Sequence, residues 1–242
     1  MSSRTIASAA LGALMLAGQA GAALASPSVP VRVILVGDST MASTTGYGDA
    51  LCARFTPETA CINLARGGRS SGSFRAEGRW DEVQELLRDG AGFGTTYVLV
   101  QFGHNDQPGK PGRSTDFATE FPVNMARYVE EARALGAQPV LVTPLTRRSF
   151  KAGYVHNDLA PWAGAVRGIA RSTHTPLVDL NALSLAAVQA MGPKEADKLA
   201  RSGEHFDYTH VGPLGAERFA RIMAQELARQ VPALAPVLRS AP

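Results

Sequence analysis

Ser39 sits in Gly37-Asp38-Ser39-Thr40, directly after the apolar run Val31–Val36, and far along the chain Asp207-Tyr208-Thr209-His210 precedes the last amphipathic stretch. A serine nucleophile needs a base to take its proton, an acid to orient that base, and donors for the oxyanion that forms. A hydroxyl at a strand-to-helix turn can be held out over a sheet edge. A spacing of three lets one loop carry both His210 as base and Asp207 as its orienting acid. The oxyanion donors expected are the Ser39 N–H, the Gly68 N–H and the Asn105 side chain. Each piece alone has a plainer reading, because a Ser after a strand or an Asp-x-x-His before a helix is usually a cap. Their order and their shared position at strand ends favour catalysis.

The elements that must position these residues alternate. Val31–Val36 is a short β-branched run ending at Gly37, and Cys61–Ala65 is a second, closed by Gly67-Gly68. Thr95–Phe102 is the clearest strand and ends at Gly103; Gln138–Pro144 and Pro176–Leu180 are the fourth and fifth. Between them, a helix-like stretch runs to about Phe55. Asp81–Arg88, Phe121–Leu135, Leu159–Arg171 and Leu214–Gln230 have helical spacing. Five strands alternating with helices predict an α/β fold, a parallel sheet covered on both faces. Such sheets bind ligands outside the carboxyl ends of their strands. The turns Gly37–Thr40, Gly67–Ser71 and Gly103–Asp106 all fall on that edge.

The chain has 242 residues, 45% of them hydrophobic, which predicts one compact domain. Its net charge is +3, with no five-residue run of like charge, so a nucleic-acid footprint is not expected. Arg4 is the only charge before Arg32, and between them lie a short apolar core and Ala23-Leu24-Ala25. This pattern predicts a signal peptide over residues 1–25, a single mature domain over 26–242, and a secreted or periplasmic location with no membrane attachment after cleavage. In an oxidising compartment Cys52 and Cys61, the only cysteines, are expected to pair; two unpaired buried thiols are the alternative.

Four blocks carry a family likeness: Gly37-Asp38-Ser39-Thr40-Met41, Asn63-x-Ala65-x-Gly67-Gly68-Arg69-Ser70, Gly103-His104-Asn105-Asp106 and Asp207-x-Thr209-His210. Together they resemble the SGNH (GDSL-type) hydrolases, and the Thr40, Gly-Gly-Arg-Ser and His104 features are most similar to rhamnogalacturonan acetylesterases. The likeness spans Val31 to Phe219. It implies a three-layer α/β/α sandwich with a five-stranded parallel sheet, the flavodoxin-like arrangement of SGNH hydrolases. It also implies Ser39 as nucleophile, His210 as base, Asp207 as its orienter and Gly68 and Asn105 as oxyanion donors, with no metal and no organic cofactor. Thr40 replaces the leucine of many relatives, which lowers a lipase reading.

The expected activity is a secreted serine esterase that removes acetyl groups from a polysaccharide or oligosaccharide, pectic rhamnogalacturonan above all, and works as a monomer. The alternatives are a lipid esterase or thioesterase, and a carbohydrate-binding protein without activity. The loops 66–79 and 110–121 are polar and Gly-rich, unlike the walls of an acyl groove. Arg66, Arg69, Arg75 and Arg79 cluster after the second strand, and Arg75 and Arg79 are the candidates for binding a galacturonate carboxylate. His104, Asp38 and Asp106 read as turn-shaping residues, His156, His174 and His205 as surface positions, and Trp80 and Trp162 as core.

Overall fold

The computed structural model describes Met1 and residues 30–239. The predicted signal peptide lies outside the described residues apart from Met1. Seven strands form: β1 Val31–Gly37, β2 Ala60–Asn63, β3 Thr95–Gln101, β4 Gln138–Val142, β5 Phe150–Lys151, β6 Tyr154–Val155 and β7 Leu177–Val178. The helices are α1 Gly48–Cys52, α2 Ser71–Ala76, α3 Arg79–Arg88, α4 Glu120–Ala134, α5 Ala160–Ser172, α6 Leu180–Asp197 and α7 Pro213–Gln230. Five strands make one parallel sheet in the order β2-β1-β3-β4-β7, and β5 and β6 form a separate antiparallel hairpin.

Burial of both sheet faces follows from the period-2 geometry of strands. Val33, Leu35, Leu99, Val140 and Val142 pack on one face with Leu51, Phe219, Met223 and Leu227 of α1 and α7. Ile34, Val36, Val98, Val100 and Leu141 pack on the other with Val83 of α3, Phe121 and Met125 of α4, and Val166 of α5. The result is the three-layer α/β/α sandwich expected from the sequence. Trp80 and Trp162 are buried in the second of these cores.

The strand order reverses between β1 and β3, since the chain leaves β1 for β2 on one side and returns to β3 on the other. That reversal opens a crevice at the carboxyl ends of β1 and β3, where open α/β sheets take their ligands. Beyond β2 the chain stays tied to β1: Leu64 N–H donates to the Leu35 carbonyl and Arg66 N–H to that of Gly37, both at 2.9 Å. The turn at Gly67-Gly68 is thereby carried to the end of β1. A disulfide joins Cys52 at the end of α1 to Cys61 in β2.

Three elements differ from the sequence reading. Residues 71–76, read as loop, form α2; its Gly/Ser-rich sequence hides a capping box in which Ser70 and Ser73 bond each other's backbone N–H. Leu180, expected to end the fifth strand, instead begins α6, and residues 181–197, given no element, continue it; α6 is interrupted at Gly192 (φ +70°) and Pro193, so its helical period breaks midway. The hairpin β5–β6 turns through Ala152 and Gly153, both at positive φ, with strands of two residues that leave almost no alternation to read. No helix among the described residues is long and apolar enough to cross a membrane.

Candidate active site

Ser39 lies in the turn between β1 and α1. Asp38, fully buried, shapes that turn: its Oδ1 accepts the Thr40 N–H at 2.9 Å and the Thr40 hydroxyl at 2.7 Å. A buried chain extends behind it. Gln101 Nε2 donates to Thr40 Oγ1 at 2.7 Å, and the Tyr47 hydroxyl donates to Gln101 Oε1 at 2.7 Å. His104 Nδ1 lies 3.3 Å from Asp38 Oδ2 without the alignment of a hydrogen bond, and burial keeps the ring below the ordinary histidine pKa despite the facing carboxylate. These groups set the turn from beneath, which leaves the Ser39 hydroxyl to the partner arriving from the other end of the chain.

That partner is His210. Its Nε2 is 2.8 Å from Ser39 Oγ, and its Nδ1 is 2.8 Å from Asp207 Oδ2. The other carboxylate oxygen of Asp207 accepts the N–H of Thr209 at 2.9 Å and of His210 at 2.8 Å, closing an Asx-type turn that fixes the three-residue spacing. Partial burial pushes the Asp207 carboxyl up, but the His210 and Thr209 N–H groups and the His210 ring outweigh it, and it stays ionised below its usual range. A carboxylate on Nδ1 leaves Nε2 as the acceptor, the tautomer a base for Ser39 requires.

Two consecutive arginines hold this loop, and the sequence reading did not single them out. Arg148, buried to 2% exposure, donates through Nη2 to the carbonyls of Asp207 at 2.6 Å and His210 at 2.7 Å, while its own N–H bonds the Tyr208 carbonyl at 2.8 Å. Burial pulls its guanidinium down to about 10. Arg147 donates to Thr209 Oγ1 at 3.2 Å and is anchored by Gln107 and Asp158. The available signal was their place: Thr143–Arg148 follows β4 at the same carboxyl edge as the three turns already noted. Thr45 completes the hold, its hydroxyl on the Ser39 carbonyl at 2.7 Å and its own carbonyl on the Val211 N–H at 3.0 Å.

The Gly67-Gly68 turn lies beside the serine. A Cβ placed on Gly67 would sit 3.7 Å from Ser39 Cβ, and Gly68 follows at φ +79°, a conformation that turns its N–H and that suits glycine. Among the described residues no protein acceptor takes the N–H of Ser39 or of Gly68. Asn105 spends one N–H on the Arg69 carbonyl at 3.0 Å, and its amide carries a second. Asp106, fully buried, binds this block to the preceding one: its Oδ1 accepts from Ser71 N at 3.0 Å, Ser71 Oγ at 2.6 Å and Thr115 Oγ1 at 2.9 Å. Burial raises its carboxyl to about 6 against those bonds.

The arginine expectation requires correction. Arg75 is turned away into a two-pronged ion pair with Glu131, at 2.7 and 2.9 Å, and its guanidinium lies over the ring of Tyr128. It braces α2 against α4 and is not available to a substrate carboxylate. Arg79 shares Glu77 with Arg69, at 3.2 and 2.8 Å respectively, so its charge is already met. A polar cavity of about 460 Å³ has Thr44, Thr45, Asn63, Arg66, Gly67 and Arg79 in its wall, and Thr45 in turn bonds the Ser39 carbonyl.

An acidic residue, an imidazole and a hydroxyl in one hydrogen-bonded line can carry out acyl transfer to serine. Residues 35–218 match the GDSL-like Lipase/Acylhydrolase family. The chain is similar to the rhamnogalacturonan acetylesterase RhgT of Bacillus subtilis (strain 168), 32% identical over 214 residues that span 81% of this chain and 89% of that one. Its structure is similar to the crystal structure of the Bacillus subtilis protein YxiM, with a TM-score of 0.70 and 28% identity over 82% of this chain and 56% of that one, so it spans little more than half of that protein. The fold is also that of Axe2, an acetylxylan esterase from Geobacillus stearothermophilus, at a TM-score of 0.59 and 19% identity over 82% of this chain and 93% of that one.

Proposed function

The chain belongs to the GDSL-like lipase/acylhydrolase family and is a carboxylic ester hydrolase, and from that premise we propose that it removes acetyl groups from a pectic polysaccharide through an acyl-enzyme on Ser39. The observation that carries the mechanism is the unbroken line Asp207–His210–Ser39, with both links at 2.8 Å. Ser39 Oγ attacks the acetyl carbonyl carbon while His210 Nε2 takes the hydroxyl proton. Asp207 faces the imidazolium that results, which lowers the cost of forming it. The negative oxygen of the tetrahedral intermediate accepts from the Ser39 and Gly68 N–H groups and the free N–H of Asn105. Collapse breaks the bond to the sugar oxygen, which leaves as a hydroxyl with the proton from His210. Water, deprotonated by the same imidazole, then attacks the acetyl group and releases acetate, returning the proton to Ser39.

Polysaccharide as the substrate class is supported by the name of the relative RhgT. The hydroxyl, amide and guanidinium groups lining the cavity beside Ser39 suit a hydrated sugar better than an acyl chain. Rhamnogalacturonan is the pectic substrate we favour. Export follows from the signal-peptide pattern of residues 1–25 and fits the Cys52–Cys61 disulfide, which belongs to an oxidising compartment.

Ser39→Ala tests the mechanism. The variant should fold and lose several powers of ten in kcat on a small acetate ester, retaining only what binding and the oxyanion donors supply. Near-wild-type turnover by that variant rejects a serine mechanism. Acetate release from acetylated rhamnogalacturonan, acetylated xylan and a long-chain acyl ester, compared side by side, tests the substrate, with the first expected fastest and the last slowest.

A further inference from the structure

The arginines around Ser39 divide by whether a carboxylate already holds them. Arg69 and Arg79 share Glu77, and Arg75 is bound by Glu131. Arg66, exposed at the rim of the 460 Å³ cavity, has no carboxylate within ion-pairing distance among the described residues. Neither has Arg113, exposed in the loop between β3 and α4. Yet Arg113 reaches back over the site: a Cβ on Gly68 would meet its Nη1 at 3.6 Å. It also lines a second open cleft of about 520 Å³, with Gly72, Ser73, Thr115 and Asn124. Two uncommitted guanidinium groups therefore flank the turn that supplies an oxyanion donor, each in the wall of its own cleft.

Acids line the clefts as well: Glu82 lines the first, and the second has Glu77, engaged by two arginines, and Glu120, which accepts the Asp116 N–H at 2.7 Å. Among the described residues none of them ion-pairs with Arg66 or Arg113. Lys110 Nζ, bonded to the His104 carbonyl, adds further positive charge behind Asn105. A neutral sugar chain has no use for a charged fork on each side of the scissile ester, whereas a carboxylate fits that fork with two parallel hydrogen bonds.

We propose that Arg66 and Arg113 form a two-sided carboxylate-reading site that seats uronate units of an acidic polysaccharide, one in each cleft, with the acetylated sugar between them at Ser39. The inference rests on the polysaccharide acetylesterase reading and replaces Arg75 and Arg79 as the residues that recognise acidic sugars. It predicts selectivity for charged over neutral chains, set by residues outside the catalytic line.

The test is a ratio: kcat/KM on an acetylated uronate-containing oligosaccharide divided by kcat/KM on an acetylated neutral xylo-oligosaccharide. Arg66→Gln and Arg113→Gln should each lower that ratio about two- to fivefold, as expected for exposed charge pairs, and the double variant should lower it further. Arg66→Lys and Arg113→Lys should recover part of it, and added salt should shrink the wild-type ratio. Equal losses on both substrates, or a ratio unmoved by either arginine, overturns the proposal. Calorimetric binding of an unesterified uronate oligosaccharide to the same proteins keeps the two readings apart. If the wild type releases no acetate from either chain, the esterase reading fails, while weaker binding by the arginine variants still supports the carboxylate site and unchanged binding rejects it.

Discussion

Each member of the line from Asp207 through His210 to Ser39 has its own kinetic signature in the proposed mechanism. Asn105 aims an N–H at charge that develops only in the transition state. Asn105→Ala should therefore lower kcat by about 10²–10³ with little change in KM, and a large rise in KM with kcat intact would make it a substrate-binding residue instead. His210 must be neutral to act as base, so activity should fall as acid protonates it; a rate flat from pH 7 down to about pH 4 argues against that role. Arg148 touches no reacting atom in this scheme and acts by holding the carbonyls on either side of the Asp207–His210 turn. Arg148→Lys stops one atom short of the Nη2 position that makes both contacts, and kcat should fall about tenfold or more at similar KM, measured on protein whose folding is checked by circular dichroism. Lost stability with unchanged kcat would limit Arg148 to a structural role. The juxtaposition of Ser39, Asp207 and His210 was legible in the sequence because their spacing and their places at loop ends carry the information. The role of Arg75 was not, since Glu131 lies 56 residues away and becomes its neighbour only when α2 packs on α4. Arg147 and Arg148 were missed for the same reason.

Among the elements, β1 and β3 were the most readable because both their faces are buried and their β-branched runs end at Gly37 and Gly103. The failures were short or broken elements: α2, α6 with its internal Gly192-Pro193, and the β5–β6 hairpin. Two element-level links give measurable predictions. The Cys52–Cys61 bridge ties α1 to β2, and its removal by Cys52→Ser with Cys61→Ser should cost about 2–3 kcal/mol in urea unfolding. An unchanged midpoint would show that the bridge adds nothing. Asp106 links the start of α2 to the turn after β3, and its carboxyl stays protonated up to about pH 6, against an ordinary value of 3.8. Between those values the folded state binds more protons than the unfolded chain, so the stability Asp106 contributes is full in acid and is lost as pH rises through about 6. Asp106→Asn keeps an oxygen for Ser71 and Thr115 and removes the titration. Unfolding free energies should shift in the variant's favour between pH 4 and pH 7, by up to about 3 kcal/mol; a difference constant with pH contradicts this.

For the molecule as a whole, sheet order does what no single residue can. The reversal between β1 and β3 brings Ser39 and Asn105 to adjacent strand ends, and the β2 extension delivers Gly68 beside them. The loop before α7 then returns His210 from the far end of the chain. The alternation of strands and helices was enough to foresee this architecture, whereas the charge environment of the cleft depended on pairings that sequence does not display. The signal-peptide pattern of residues 1–25 predicts that expression with this N-terminus yields a mature protein beginning at Ser26; retention of the first 25 residues in the recovered protein rejects cleavage there. A covalent intermediate at Ser39 is the central requirement of the proposed mechanism. Incubation with a fluorophosphonate ester, followed by peptide mapping in a mass spectrometer, measures this most directly. A single adduct on Ser39, formed in step with loss of esterase activity and suppressed in His210→Ala, is the predicted result. Full activity in protein fully labelled at Ser39, or inactivation with the adduct on another residue, would contradict it.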